Sequence, residues 1–161
     1  MLRRCAYSAL VRFAPQDVRT YFVVVVTANR RRLFQVESAA DLLLDVMRSY
    51  HTQGRFGLHA FVIMPDHVHL LPTPAHDVSL EKAVQFIKGG FSFRFKNGRD
   101  VSERSFNEMQ IVRLEKFEAC RRYIQGNPVR ARMSMAEQEY RYSSARLMDC
   151  VDPVSEHFLR G

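Results

Sequence analysis

Two apolar runs, Leu58 to Met64 and His67 to Thr73, are separated by Pro65-Asp66 alone. So short a break between strand-like runs reads as an antiparallel pair with a tight connection. Upstream, Tyr21 to Thr27 (YFVVVVT) is β-branched and aromatic, which reads as a buried strand emerging into solvent at Asn29-Arg30-Arg31-Arg32. Ser38 to Tyr50 reads as a helix, with Ser38 and Asp41 suiting its N-terminal end and Leu42, Leu43, Val46 and Met47 forming an apolar stripe. Downstream, the spacing of Leu80, Ala83, Val84 and Ile87 predicts a helix from Ser79, its cap, to about Phe95. Phe106 to Val112 predicts a further strand, Leu114 to Asn127 a helix stopped by Pro128, and Met135 to Met148 a last helix. The order strand, helix, strand, strand, helix, strand is that of a ferredoxin-like split βαβ unit. The expected class is therefore α+β, with an antiparallel sheet and additional C-terminal helices. Such a scaffold has no function attached to it.

Composition narrows the partners. The 161 residues show no repeat or low-complexity tract, and Gly and Pro are spread as turn punctuation, so a single domain over residues 1–161 is expected. A chain of this size buries on the order of 70% of its unfolded surface. With 47% hydrophobic residues, disorder as the main state is excluded. Lys and Arg number 24 against 17 Asp and Glu, a net charge of +7, and only Lys82, Lys88, Lys96 and Lys116 are lysines. The planar fork of arginine pairs phosphate bidentately, so the bias leans toward a polyanion; arginine-rich codon usage on a solvated surface is the competing account. Cys5, Cys120 and Cys150 are odd in number and widely spaced, matching neither a disulfide framework nor a metal clip. The first residues, MLRRCAYSALVRFAP, carry charge without an apolar core of signal-peptide length, and no apolar run approaches membrane-spanning length. A cytoplasmic location is expected, with no membrane partner.

The sharpest local feature is Met64-Pro65-Asp66-His67-Val68-His69-Leu70-Leu71. Side chains alternate faces along a strand, so His67 and His69 project from the same face. Two adjacent imidazoles are a ready chelate, or else a pair on a half-exposed strand; a metal site needs a third donor. A candidate lies in Arg121-Arg122-Tyr123-Ile124-Gln125-Gly126-Asn127-Pro128-Val129-Arg130, where Tyr123 and Asn127 stand four apart on one helix face. Asn127 can lend a carbonyl oxygen to a metal, with Tyr123 addressing what the metal holds. The alternative makes Tyr123 a core aromatic and Asn127 a helix C-cap. Asp66 can orient an imidazole or simply shape the turn. His59 is either a neighbour of the pair or an ordinary strand histidine, and His51, His76 and His157 show no partner pattern.

The string MPDHVHLL followed by RRYIQGNPVRA resembles the HUH single-tyrosine transposases that mobilise insertion sequences of the 200/605 type, and among them the REP-associated tyrosine transposases. Further matches are RRRLF at Arg30 to Phe34, the stretch from Ser79-Leu80 through FIKGGFS at Phe86 to Ser92, and YRYSSA at Tyr140 to Ala145, so the likeness spans roughly residues 18 to 148. The resemblance implies that His67 and His69 are metal ligands with Asn127 the third, that Tyr123 is the nucleophile, and that the ion is Mg²⁺ or Mn²⁺, although the donor set also suits Zn²⁺. It implies a substrate of single-stranded DNA beside a hairpin, often a repetitive extragenic palindrome, cut through a 5′-phosphotyrosine. A monomer is favoured, with dimers sharing active sites as the alternative. This chain departs from the pattern the resemblance implies, which often has tryptophans near positions 102 and 142, where Ser102 and Tyr142 stand, and commonly a glycine where Arg132 stands.

Candidate DNA contacts are Arg30, Arg31 and Arg32 at the strand exit, Lys88, Arg94, Lys96 and Arg99 along the second helix and its exit, and Arg121, Arg122, Arg130 and Arg132 around the nucleophile. Phe91, Phe93 and Phe95 offer stacking surfaces for unpaired bases, with Phe91 expected in the core because the spacing does not suit one helix face. Two other functions are compatible with parts of this pattern. One is a hairpin-binding domesticated transposase that no longer cuts, against which the intact HVH and YxxxN argue. The other is a water-using metal phosphoesterase, against which the lack of a second HxH or HxT/S argues.

Overall fold

Four strands and three α-helices alternate along residues 18–96, 101–103 and 105–160, which are the residues the computed structural model describes. In chain order they are β1 (Thr20–Val26), α1 (Glu37–Thr52), β2 (Phe56–Ile63), β3 (His67–Pro74), α2 (Leu80–Phe95), β4 (Asn107–Ile111) and α3 (Leu114–Arg130). The strands form one antiparallel sheet in the order β2-β3-β1-β4, the ferredoxin-like arrangement expected from the element order. Ser79 caps α2 by accepting the Lys82 N–H, as its position predicts. At α1 the helix instead starts at Glu37, after Val36, with no side-chain cap, so Ser38 lies inside the first turn. Among the described residues no helix is long and apolar enough to cross a membrane.

Period-two alternation splits the sheet into two faces. Val23, Val25, Val68 and Leu70 turn to the face covered by α1 and α2, where they pack with Leu43, Met47, Val84 and Ile87. Val62 and Leu71 turn to the other face, which α3 covers with Phe117, Cys120 and Ile124. Phe117 is 1% exposed, and truncating it to alanine should cost about 3–5 kcal/mol. Between Leu58 and Phe61 the register slips by one residue, a bulge that carries Leu58 and Phe61 alike to the α1/α2 face.

Two expectations fail. α3 does not stop before Pro128 but runs through it to Arg130, with Pro128 buried. A proline in the last turn forfeits only the bond to the Ile124 carbonyl, and Ala131 N–H bonds the Asn127 carbonyl just beyond it. Asn127 is therefore inside the helix and is not its C-cap. Nor does Met135 to Met148 form a helix. That stretch holds the short turn Glu137–Glu139 and then runs along the outer edge of β2, where Ile63 N–H donates to the Tyr142 carbonyl and Ser144 N–H to the Phe61 carbonyl. The unpaired edge of β2 needs partners more than this segment needs a helix, whose stripe would have relied on Met135 and Met148, 90% and 71% exposed.

Candidate active site

The β2–β3 connection is fixed from outside before it presents any chemistry. Thr27, at the exit of β1, donates from both its N–H and its hydroxyl to the Asp66 carbonyl, and Phe34 N–H donates to the Pro65 carbonyl. Asn29 and Arg30 adopt positive φ, a turn that brings the Arg30 guanidinium to Asp66 Oδ2 at 3.0 Å. The other carboxylate oxygen lies 2.7 Å from His67 Nδ1. A carboxylate can only accept, so Nδ1 donates to it, and the neutral tautomer this selects has its lone pair on Nε2. Burial would raise the Asp66 carboxyl, but the hydrogen bonds from His67 and Arg30 outweigh it and hold the group below its ordinary range.

His67 and His69 project from one face of β3, with ring centroids 4.8 Å apart. His69 is 6% exposed, and its Nδ1 has no hydrogen-bond partner among the described residues. Burial, reinforced by the neighbouring His67 and Arg130 charges, pulls this imidazole down to about 4, so it is neutral near pH 7. Phe22 on β1 stacks on it at 5.5 Å, and Tyr123 on α3 meets it edge-on at 5.7 Å. Tyr123 also touches Phe22, yet it stays 47% exposed, which disposes of the core-aromatic alternative. Asn127 follows one turn later on the same helix, half-buried.

The sequence-predicted residues thus divide. Contacts join His67, His69 and Tyr123, with Asp66 behind His67. Among the described residues no group of three His, Cys, Asp or Glu side chains could hold a metal. The donors these elements carry are the two imidazoles on β3 and, one turn beyond Tyr123 on α3, the Asn127 amide. A neutral, buried imidazole with an orphaned nitrogen beside a second, carboxylate-oriented one fits a divalent cation, and a buried polar group without a partner otherwise costs about 1–3 kcal/mol.

Of the cationic candidates, Arg30 is bound to Asp66, Arg31 Nε donates to the Ala28 carbonyl and Arg32 Nε to Gln35. Arg121 pairs with Glu118 on the α3 surface, and Arg122 is exposed beside Tyr123. Lys88 reaches the Glu103 carbonyl at 2.6 Å and lines a cavity on the α1/α2 face, where burial lowers its amine. Arg94 pairs with Asp45, and Lys96 ends α2 near the exposed Phe93. Phe91 is buried as expected, with Phe95 stacked on it. Arg99 lies outside the described residues, as do Cys5 and the first 17 positions. Ser102 bridges to Thr27, and Tyr142 is buried with its hydroxyl donating to Asp41.

Sequence reading missed the parts Phe22 and Arg130 play beside Tyr123. Phe22 was legible in principle, because it shares the parity of Val24, the residue opposite His69. Arg130 was not: its guanidinium sits 4.2 Å over the Tyr123 ring and donates to the Tyr123 carbonyl, two turns back along α3. Such a contact is worth about 0.5–1 kcal/mol at an exposed site.

The fold and site define a ferredoxin-like domain with a strand-borne histidine pair facing a helix-borne tyrosine. Residues 17–127 match the family described as Transposase IS200 like, and the chain belongs to that family. No curated protein sequence matches it. Among solved structures, its fold resembles that of a REP-associated tyrosine transposase bound to a REP hairpin, with a TM-score of 0.71 at 21% identity over 84% of this chain and 82% of the other. It also resembles a candidate transposase from Deinococcus radiodurans R1, with a TM-score of 0.52 at 24% identity over 68% of this chain and 90% of the other.

Proposed function

We propose that this chain is a metal-dependent single-strand DNA nickase and strand-transferase of the REP-associated type, cutting beside hairpins through a 5′-phosphotyrosine. The observation that carries this reading is the edge-on approach of the half-exposed Tyr123 to the buried, neutral His69. Family membership and the fold likeness to a hairpin-bound relative support it.

Tyr123 Oη attacks a backbone phosphorus, forming a P–O bond to tyrosine as the P–O3′ bond breaks. The phenol proton passes to solvent and the leaving oxygen takes one up as a 3′-OH. The phosphotyrosine conserves the energy of the broken ester, so another 3′-OH can reverse the step and join new ends without ATP. His67, His69 and Asn127 would hold a Mg²⁺ or Mn²⁺ ion, whose chemistry there is to neutralise phosphate charge and orient the phosphorus. Asp66 fixes the tautomer and the plane of His67. Arg30 beside Asp66 and Arg122 next to Tyr123, together with Arg31, Arg32 and Arg121, would grip phosphates without reading sequence, with Lys88, Arg94 and Lys96 on α2 as further contacts. The protein would act in the cytoplasm as a monomer.

The test is incubation with labelled single-stranded DNA carrying a REP-type hairpin, with Mg²⁺ or Mn²⁺. The reading predicts a nick and a covalent protein–DNA band. Tight hairpin binding without cleavage under either metal would make the protein a domesticated, non-cutting binder; cleavage without an adduct would make it a phosphoesterase.

A further inference from the structure

We propose that Arg130 is a positioning residue for Tyr123, and that Gly126 is glycine because the Arg130 side chain passes over it. The inference rests on the nuclease reading above for its consequence, but its geometry is independent of that reading. An exposed tyrosine on a helix is ordinarily free to change rotamer. Tyr123 is restrained on three sides: edge-on by His69, edge-on by Phe22 and, over its ring face, by the Arg130 guanidinium at 4.2 Å.

Arg130 lies seven residues beyond Tyr123, about 10 Å along the axis, so its side chain must lie back along α3 toward the N-terminus, the direction helical side chains favour. Between them stands Gly126. A Cβ there would come 2.8 Å from Arg130 Nη1 and 3.3 Å from Glu137 Oε2, so an alanine at this position would push the far end of the Arg130 side chain off its present place over the helix. Glycine inside a helix is unfavourable by about 1 kcal/mol relative to alanine, and the chain accepts it two residues before a proline. Pro128 has no N–H to give the Ile124 carbonyl, which loosens this turn, and Arg130 donates to the carbonyl one residue earlier, that of Tyr123. The planar guanidinium can cover a ring and donate in its own plane at the same time, whereas a lysine ammonium cannot do both. Arg130 thus serves the nucleophile, whereas an ordinary surface arginine in a DNA-binding protein serves phosphate.

The decisive variant is Gly126→Ala, which keeps every charge, favours the helix and displaces the end of the Arg130 side chain. Arg130→Met and Arg130→Lys accompany it. Fluorotyrosine-labelled protein, with the Tyr123 resonance assigned by its loss in Tyr123→Phe, reports the ring without any DNA present. Gly126→Ala and both Arg130 variants should move that resonance toward the position of a freely exposed tyrosine. With saturating hairpin DNA, the rate of adduct formation should fall roughly 10- to 100-fold, the scale of a misplaced reacting group. The salt dependence of hairpin binding should keep its slope, whereas loss of a phosphate contact would lower it by about 1. Gly126→Ala in the Arg130→Met background should do nothing more, since both remove one contact. An unmoved resonance in Gly126→Ala, wild-type rates in Arg130→Lys, or an Arg130→Met effect confined to the salt slope would overturn the proposal. If wild-type protein formed no adduct, the nuclease reading would fall, while the fluorine signal would still decide whether Arg130 holds the ring.

Discussion

His59 on β2 and His69 on β3 lie on the same α3-covered face of one sheet, 5% and 6% exposed, and burial holds both imidazoles below their ordinary range. Their wiring differs. His59 Nδ1 donates to the Pro153 carbonyl at 2.7 Å, and its Nε2 accepts from the hydroxyls of Thr73 and Ser155 at 2.8 and 2.9 Å. Thr20 extends that network through Thr73 at 2.6 Å, and Phe117 packs edge-on against the ring. His69 has aromatic neighbours but an orphaned Nδ1, and it looks toward an exposed phenol. A histidine that closes its own hydrogen bonds holds the C-terminal segment to the sheet. One that leaves a nitrogen open has capacity to spend on a ligand, and the same degree of burial serves opposite ends.

The largest effect that sharpens this contrast is at the tyrosine beside the open histidine. Tyr123→Phe should abolish the protein–DNA adduct on a denaturing gel while leaving the urea unfolding midpoint near wild type, since the hydroxyl supports no part of the core. Next, Asp66→Asn removes the carboxylate that orients His67, and titration calorimetry with Mn²⁺ should show affinity weakened about 10- to 100-fold. The equivalent change at the wired histidine should leave metal affinity alone and strike stability instead. His59→Phe strands the Pro153 carbonyl and takes away the acceptor shared by the Thr73 and Ser155 hydroxyls, which keep only each other and Thr20, and should cost about 1–3 kcal/mol by urea denaturation. His69→Phe, measured without metal, should stay within about 0.5 kcal/mol of wild type because it removes an unpaired nitrogen and keeps the contact with Phe22. Equal losses at the two positions would break the comparison.

The smallest effect is in pH. Burial depresses the folded-state His59 imidazole against the opposing Pro153 hydrogen bond and Asp152 charge, with His157 adding to the depression. The unfolded chain then takes up a proton near its ordinary 6.5 that the folded protein refuses. The neutral His59 contribution is whole above that value and is lost as the pH falls from 6.5 toward the folded-state value. Unfolding midpoints measured down this range should decline less steeply in His59→Phe than in wild type.

The sheet and its two crossover helices were legible because each element carries its own periodicity and punctuation, down to the Ser79 cap. The two failures were both tertiary. Pro128 reads locally as a stop, and only the buried turn around it explains why α3 continues. Met135 to Met148 reads locally as a helix, and only the open edge of β2 explains why Tyr142 and Ser144 run extended. At the site, HVH alternation placed both imidazoles on one face and the i, i+4 rule placed Tyr123 and Asn127 together on α3. That α3 would lie across that face, and that Arg130 would fold back over Gly126, depends on packing between segments more than 50 residues apart and on a position without a side chain.

Tyr123 is the group proposed to become joined to DNA. Trypsin should cut after Arg122 and again after Arg130, releasing YIQGNPVR from the adduct. Mass spectrometry of nuclease-trimmed, trypsin-digested adduct should find a nucleotide remnant on the tyrosine of that peptide, and only when Mg²⁺ or Mn²⁺ was present. A remnant on any other residue, or cleaved DNA with that peptide unmodified, would contradict that role.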